Sequence, residues 1–540
     1  MPRRVRDAWW ETGVFYEIYV RSFCDTTGNG VGDLQGIITR LGYLRETLGV
    51  DAIWLTPFYP SPMADFGYDV ADYRNVDPLF GDLATFDRLV ARAHALGLKV
   101  VVDFVPSHSS DRHPWFLASR KSRDHTQRDW YVWRDPKPDG SPPNNWLSVF
   151  GGTAWELDHE TGQYYRHSFL RKQPDLNWRS PALRAAMLDT MRFWLDRGVD
   201  GFRVDAVLFM LKDADERDNP LNPAASGTAH KPLGAYDAQI HLYDLAHPDV
   251  HEALRDMRRV VDACDPPRMA IGEVHVYDPV ELGRYYGREL DELHLPTNFG
   301  LFKVPWTASG VRRVVEGMET RLPSGAWPNY SLGNHDDSRV ITRLGERGSR
   351  QAAVLLLTLR GTPILYYGDE IGMGDVSVPR GKRQDPWGVS EPALSRDGCR
   401  TPMQWSGEPG AGFTSAREPW LPLSGDYVVR NVEAQLRDPD SHLNLYRRLL
   451  SLRRASTSLT AGAYRALDSA PPDCLVFERT APGETALVAI NFSAEPRDVE
   501  TGATDGRVVV STGRSGEGRE VRGALRLLPG EAVVVLSGRR

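Results

Sequence analysis

Cysteine is scarce: Cys24, Cys264, Cys399 and Cys474 are the only four in 540 residues. They are widely scattered and show no paired metal-ligand spacing, so free thiols are the expectation, with neither a disulfide framework nor a zinc knuckle. No apolar run reaches the roughly 18 residues that a membrane helix requires. The opening MPRRVRDAWWETG has the charge of a signal peptide's first part but lacks the apolar stretch that should follow. Both absences point to a cytoplasmic protein with no membrane partner. There is no basic surplus either. Lys and Arg number 65 against 72 Asp and Glu, a net charge of -7, which argues against a nucleic-acid partner.

Aromatic residues are plentiful, with 15 Trp, 20 Tyr and 18 Phe. They suit both a large core and stacking against sugar rings. Four times an apolar-periodic helix runs into a glycine and then an apolar strand: YLRETLGVDAIWLTP, FDRLVARAHALGLKVVVDF, MLDTMRFWLDRGVDGFRVD and AVLLLTLRGTPILYYGDE. Glycine just past a helix end is the usual left-handed stop. With GVFYEIYV, RMAIGEV, DELHLP and NYSLGNHD the strand candidates total eight. Helices alternating with buried strands predict an α/β fold, a (β/α)8 TIM barrel.

Two regions depart from the repeat. About seventy residues rich in Trp, Pro, Gly and Asp follow the third strand, too long for an ordinary loop. They predict an inserted lobe over 107–175 that divides the barrel into 1–106 and 176–456. From 457 to 540 the chain becomes short alternating strands separated by turns, which predicts a C-terminal all-β sandwich domain.

The stretch GVDGFRVDAV places Arg203 and Asp205 on one face of a strand whose other face carries Phe202 and Val204. Alone, an Arg-x-Asp pair is more often a structural salt bridge. Other strands, however, also end in polar residues: Asp103 with His108 beyond it, Glu273, and His335 with Asp336. In a (β/α)8 barrel the C-terminal strand ends carry the chemistry, and three strands deliver carboxylates to that rim.

The ordered segments DFVPSH, GFRVDAV, IGEV and GNHD resemble the four signature regions of the α-amylase family, glycoside hydrolase family 13. FGYDVADY, QPDLN, GTPILYYGDEIGM and RTPMQW extend the resemblance over nearly the whole chain, and within the family it looks most like the α-glucosidase and oligo-1,6-glucosidase branch. The resemblance implies Asp205 as nucleophile, Glu273 as general acid and base, and Asp336 as the carboxylate that stabilises the transition state. Arg203 would keep Asp205 ionised, whereas Glu273, with no cation as near in sequence, suits a raised pKa. Asp65 and Tyr68 would hold the outer hydroxyls and stack under the ring. Arg400 would pair with Asp65 and close the far end. His108 and His335 would bond ring hydroxyls, and Phe169 and Gln173 would line the wall from the lobe. Ala206, beside the nucleophile, would set linkage preference. Ser107 stands where the family usually has Asn.

The loop DTTGNGVGDLQG begins like a calcium loop but has Gly36 where an EF-hand needs Glu. The resemblance implies a structural Ca2+ or Mg2+ on Asp25, Thr27, Asn29, the Val31 carbonyl and Asp33; a plain glycine-rich turn is the alternative. No cofactor is expected for catalysis. The function implied is an exo-acting, retaining α-glucosidase acting on small α-glucosides such as maltose, as a monomer or homodimer. The alternatives are a transglucosylating or isomerising relative of the trehalose synthase kind, and an oligo-1,6-glucosidase. A non-catalytic relative, like the ectodomains of amino-acid transporter subunits, would have lost the carboxylates that are present here.

Overall fold

The structure is a computed structural model that describes residues 8–223, 233–502, 504–514 and 516–538. In chain order, strands β1 (Phe15–Ile18), β2 (Ala52–Leu55) and β3 (Lys99–Phe104) open a parallel barrel. The chain then leaves it for a small antiparallel sheet of β4 (Trp133–Arg134), β5 (Trp155–Asp158) and β6 (Gln163–Arg166), in the order β4-β6-β5. It returns as β7 (Gly201–Val204), β8 (Met269–Gly272), β9 (Leu295–Pro296), β10 (Asn329–Ser331) and β11 (Thr362–Tyr366). These eight strands run in the order β10-β11-β1-β2-β3-β7-β8-β9. Side-chain bonds of Asn329 bridge the seam between β9 and β10: its Nδ2 donates to the Pro296 carbonyl at 2.7 Å, and its Oδ1 accepts from Asn298 N at 3.0 Å.

The helices bury the faces that their periodicity marks. The helix Pro181–Asp196 packs Met187, Met191 and Trp194, all fully buried, against the barrel's outer face. Gly198 then turns the chain at φ 92°, a conformation that costs glycine little. Phe202 and Val204 share this outer layer, while the lumen is filled by Phe15, Trp54, Val101, Met269 and Ile271 among others. Because strand side chains alternate, the inward rows continue upward from these apolar residues: Val101 leads to Asp103, Gly201 to Arg203 and Asp205, and Ile271 to Glu273. Each row is apolar where it packs the lumen and polar where it emerges.

The C-terminal domain comprises β12 (Ala463–Ala466), β13 (Cys474–Ala481), β14 (Glu484–Asn491), β15 (Arg497–Glu500), β16 (Gly506–Ser511), β17 (Glu520–Val521), β18 (Ala524–Leu527) and β19 (Ala532–Ser537). A six-stranded antiparallel sheet, β12-β13-β14-β19-β16-β17, faces the two-stranded β15-β18 sheet across a core that includes Val476, Leu487, Val499 and Leu525. Among the described residues no helix is long and apolar enough to cross a membrane.

Candidate active site

The polar ends of the inward rows meet at one cavity, lined among others by Asp205, Glu273, Asp336, Asp65, His108 and His335. Arg203 stands behind them at 4% exposure. Its Nη1 donates to both Asp205 and Asp103, and its Nη2 lies 3.1 Å from Glu273. One guanidinium therefore grips carboxylates from three adjacent strands. Glu273 is held further by the Ala206 amide at 2.8 Å and by His275 Nε2 at 3.0 Å.

This arrangement overturns one expectation. Glu273 has a cation at hand, because β7 and β8 pair in parallel with Arg203 opposite Ile271, and the Arg203 fork reaches across to it. Burial works to raise Glu273, but Arg203 and His275 outweigh it and pull the carboxyl below the usual carboxylate range. Burial pushes Asp205 up, and repulsion from Glu273 and Asp103 adds to this against the pull of Arg203.

The far end of the cavity brings a second correction. Asp65 pairs with Arg396, at 2.8 Å, and not with Arg400. Arg396 also bonds Asp385 at 2.7 Å and lies 3.3 Å from Asp336. Arg400, only 1% exposed, instead donates to Asp336 at 2.8 Å and to the His335 carbonyl at 2.7 Å. The two arginines lie four apart around one short 3-10 turn, Asp397–Arg400, and formal charge does not distinguish them.

The remaining side chains assemble around these pairs. Gln173 donates to Asp65 at 3.1 Å and meets His108 Nε2 at 3.1 Å. Ser107 Oγ lies 2.8 Å from His108 Nδ1, so serine itself orients the ring from this position. The Tyr68 ring stacks on His335 with centroids 5.5 Å apart, and its hydroxyl bonds Asp103 at 3.0 Å and His335 at 2.8 Å. His335 Nδ1 pairs with Glu17, a carboxylate inside β1 that the sequence reading passed over, as it did Arg396, Asp385 and His275. Glu17 had a signal: it is the one charge within the apolar run VFYEIYV. Phe169 and Ala206 line the cavity.

The glycine-rich loop folds on itself. Asp25 accepts hydrogen bonds from Thr27 N, Gly28 N and Gly30 N, each at 2.8 Å, and from Thr414 Oγ1. Asp33 caps the helix Leu34–Gly42 through Gly36 N and accepts from Thr26 N, each at 2.7 Å. Asn29 accepts from Val31 N at 2.8 Å. Backbone donors of the turn thus reach the oxygens of Asp25, Asp33 and Asn29. Thr27, Asn29 and the Val31 carbonyl belong to the same turn. A melting scan with and without EDTA decides between the two readings of this loop: an ion present at a hundred times its Kd contributes about 2.7 kcal/mol that chelation removes, whereas a plain turn leaves the melting temperature unchanged.

With this geometry in place, comparison with known proteins is informative. Residues 17–462 match the family described as Alpha amylase, catalytic domain. The chain belongs to the α-amylase family. It is 43% identical over 500 residues to a probable α-glucosidase of Rhizobium meliloti (strain 1021), covering 90% of each chain. It is 38% identical to an oligo-1,6-glucosidase of Heyndrickxia coagulans, over 90% of this chain and 92% of that one. Among solved structures, the α-glucosyl transfer enzyme XgtA superposes with a TM-score of 0.91 at 42% identity, covering 98% of this chain and 99% of that one. The protein is a glycoside hydrolase of the α-glucosidase kind.

Burial also gives this enzyme a defined acid response. His108 is pushed down to about 4 and His113 to about 3 by burial. Unfolding restores values near 6.5, so as pH falls from 6.5 toward 4 the unfolded chain takes up protons that the folded chain refuses. Stability should decline through that window. His113 caps the helix Pro114–Arg120 by accepting from Trp115 N, and asparagine can take over a cap. His113→Asn is therefore expected to flatten the dependence of melting temperature on pH between 6.5 and 4.

Proposed function

We propose that the protein is an exo-acting, retaining α-glucosidase that releases terminal α-1,4-linked glucose from maltose and short maltooligosaccharides. The observation that carries this reading is the cavity itself: Asp205, Glu273 and Asp336 face it, and the buried Asp65–Arg396 pair lines it with them. On this reading the pair closes one end of the cavity, which admits one terminal glucose and excludes a chain passing through.

Retention requires two carboxylates about 5 to 5.5 Å apart, against the 6.5 to 9.5 Å of inverting enzymes. Asp205 and Glu273 on one guanidinium favour the shorter separation. In the first step Asp205 attacks the anomeric carbon while Glu273 gives its proton to the departing oxygen. In the second, water attacks the glucosyl ester, Glu273 takes the proton from that water, and Asp205 leaves. The chemistry needs charge on Asp205 and the proton on Glu273. These apparent pKa values belong to the coupled pair, and Arg203, touching both, neutralises whichever is ionised. Asp336, held by Arg396 and Arg400, offers its charge to the oxocarbenium-like transition state.

Asp65→Asn keeps the volume and removes the charge that Arg396 faces. It is expected to lower kcat/KM for maltose roughly 10- to 100-fold, the range of one charged hydrogen bond, with a smaller effect on melting temperature. The function as a whole is tested by incubating the enzyme separately with maltose, isomaltose, trehalose and sucrose and following products and anomers by proton NMR. Maltose consumed fastest with α-glucose appearing first supports the reading; β-glucose first, or trehalose as the main product from maltose, overturns it. Transfer of glucose to a sugar is the second reading, and likeness to a glucosyl transfer enzyme favours it as a side reaction. The four cysteines form no disulfide among the described residues, which suits a reducing compartment, and we place the enzyme in the cytoplasm.

A further inference from the structure

Glu17, on β1, takes no part in the double displacement. It lies two residues beyond the lumen-filling Phe15, is fully buried, and pairs in register with Trp54 of β2 and Tyr366 of β11. Its Oε1 meets His335 Nδ1, and its Oε2 is buried without a hydrogen-bond partner among the described residues. His335 is therefore the one side chain that bonds this carboxyl. A carboxylate taken out of water needs a donor, so a proton lies between these two atoms.

The other ring nitrogen looks toward the cavity. His335 Nε2 lies 2.8 Å from the Tyr68 hydroxyl and 3.4 Å from Asp336 Oδ2, and all three residues line the cavity. The Tyr68 hydroxyl has one proton to give, and it donates at 3.0 Å to Asp103, the carboxylate that Arg203 holds at 2.9 Å. The Tyr68 oxygen must then accept from His335, which puts a hydrogen on Nε2. With a hydrogen on Nε2 and a proton between Nδ1 and Glu17, the pair holds one proton more than a neutral imidazole beside a carboxylate. We propose that Glu17 is a positioning residue that makes His335 a pH-dependent donor. While the pair keeps the shared proton, Nε2–H donates to a hydroxyl of the bound glucose. When that proton leaves to solvent, Glu17 draws the remaining ring hydrogen to Nδ1, and Nε2 becomes an acceptor.

The groups packed around the pair act in both directions. Burial pushes Glu17 up and repulsion from Asp336 adds to this, while Arg203 pulls it down. Tyr19 stacks on the imidazole at 5.8 Å, and Trp54 meets it edge-on at 6.1 Å. Arg400 and the Cys399 thiol both bond the His335 carbonyl, and the Tyr366 hydroxyl donates away from the pair, to the Cys399 carbonyl at 3.0 Å. The ring is thus held on every side. Losing the proton changes what Nε2 offers, not where it points.

The inference rests on the glucosidase reading for its ligand, so its test measures binding apart from turnover. Glucose is titrated calorimetrically into the protein from about pH 6 to about pH 10, a range that brackets histidine with a raised partner. The dissociation constant should rise with pH by roughly 10-fold, the loss of one charged hydrogen bond. Glu17→Gln keeps the volume, and its amide nitrogen donates to Nδ1 at every pH, so Nε2 stays a donor and the profile should be flat; melts at each pH confirm folding. A wild-type constant that does not change with pH overturns the inference without any variant. Equal slopes in the two proteins also overturn it and assign the titration to another group, such as Asp205. Maltose left unconsumed while glucose binds with the expected slope overturns the glucosidase reading and supports this inference. No binding of glucose at any pH overturns the inference whatever happens to maltose.

Discussion

Asp205→Asn is expected to lower kcat on maltose by on the order of 10⁴-fold or more while the protein still folds. The amide keeps the side chain's volume, but a neutral amide does not form the glucosyl ester on which a double displacement depends. Arg203 retains Asp103 at 2.9 Å and Glu273 at 3.1 Å, so the buried cation is not left unpaired, the situation in which losing one partner costs most. Substitution also removes one of three carboxylates crowded around a single guanidinium, which relieves repulsion inside the barrel mouth. The melting temperature should therefore stay close to the wild-type value. Glu273→Gln is expected to be nearly as damaging on maltose, whose leaving group needs a proton, and the double variant should lose little beyond either single one, because residues acting as a unit are strongly non-additive. Steady-state kinetics on the three variants, with thermal melts alongside, check this. An Asp205→Asn enzyme that keeps most of its activity removes Asp205 from the nucleophile's place.

The sequence carried much of this because barrel chemistry follows a period of two. Once FRVD is read as a strand with Phe202 and Val204 facing outward, Arg203 and Asp205 must point together into the lumen, and the structure places them there. The repeated helix, glycine and strand pointed to the eight-stranded barrel in the same way. What the sequence hid lies across strands and between loops. Arg203 is two residues from Asp205 in the chain but equally in reach of Glu273 seventy positions on, because parallel pairing stacks β7 on β8. The sequence distance that made Glu273 look free of cations carries no information about that neighbour. The exchange of Arg396 for Arg400 has the same origin: both precede the PMQW segment, and only the path of the turn Asp397–Arg400 decides which one faces Asp65. Likewise, spacing alone does not show that Asp25 and Asp33 accept amides of their own turn.

Ala206→Val is expected to move the ratio of kcat/KM for isomaltose over maltose upward by roughly 10-fold or more, in the range that small changes of pocket volume carry. Ala206 lines the cavity immediately after the nucleophile. A β-branched side chain there fills volume next to the leaving sugar and has little rotamer freedom with which to yield. An α-1,4-linked ring approaches that space closely, whereas an α-1,6 link adds a rotatable bond and carries its ring farther out. The structure adds a cost that volume alone does not show. Ala206 sits at φ 46°, ψ 44°, in the left-handed region, where a β-branched residue is strained by roughly 1 to 2 kcal/mol. Its amide also donates to Glu273, so strain at this residue reaches the general acid directly. Val should consequently lower the melting temperature and reduce turnover of both sugars, with maltose falling further. Ala206→Gly separates the two effects: glycine relaxes the left-handed backbone and leaves the space open, so it should keep the maltose preference without loss of stability. Measuring kcat/KM for both sugars on the three proteins decides. Equal losses on both sugars in the Val variant, or a wild type that already prefers isomaltose, would show that Ala206 serves the backbone turn and not the choice of linkage.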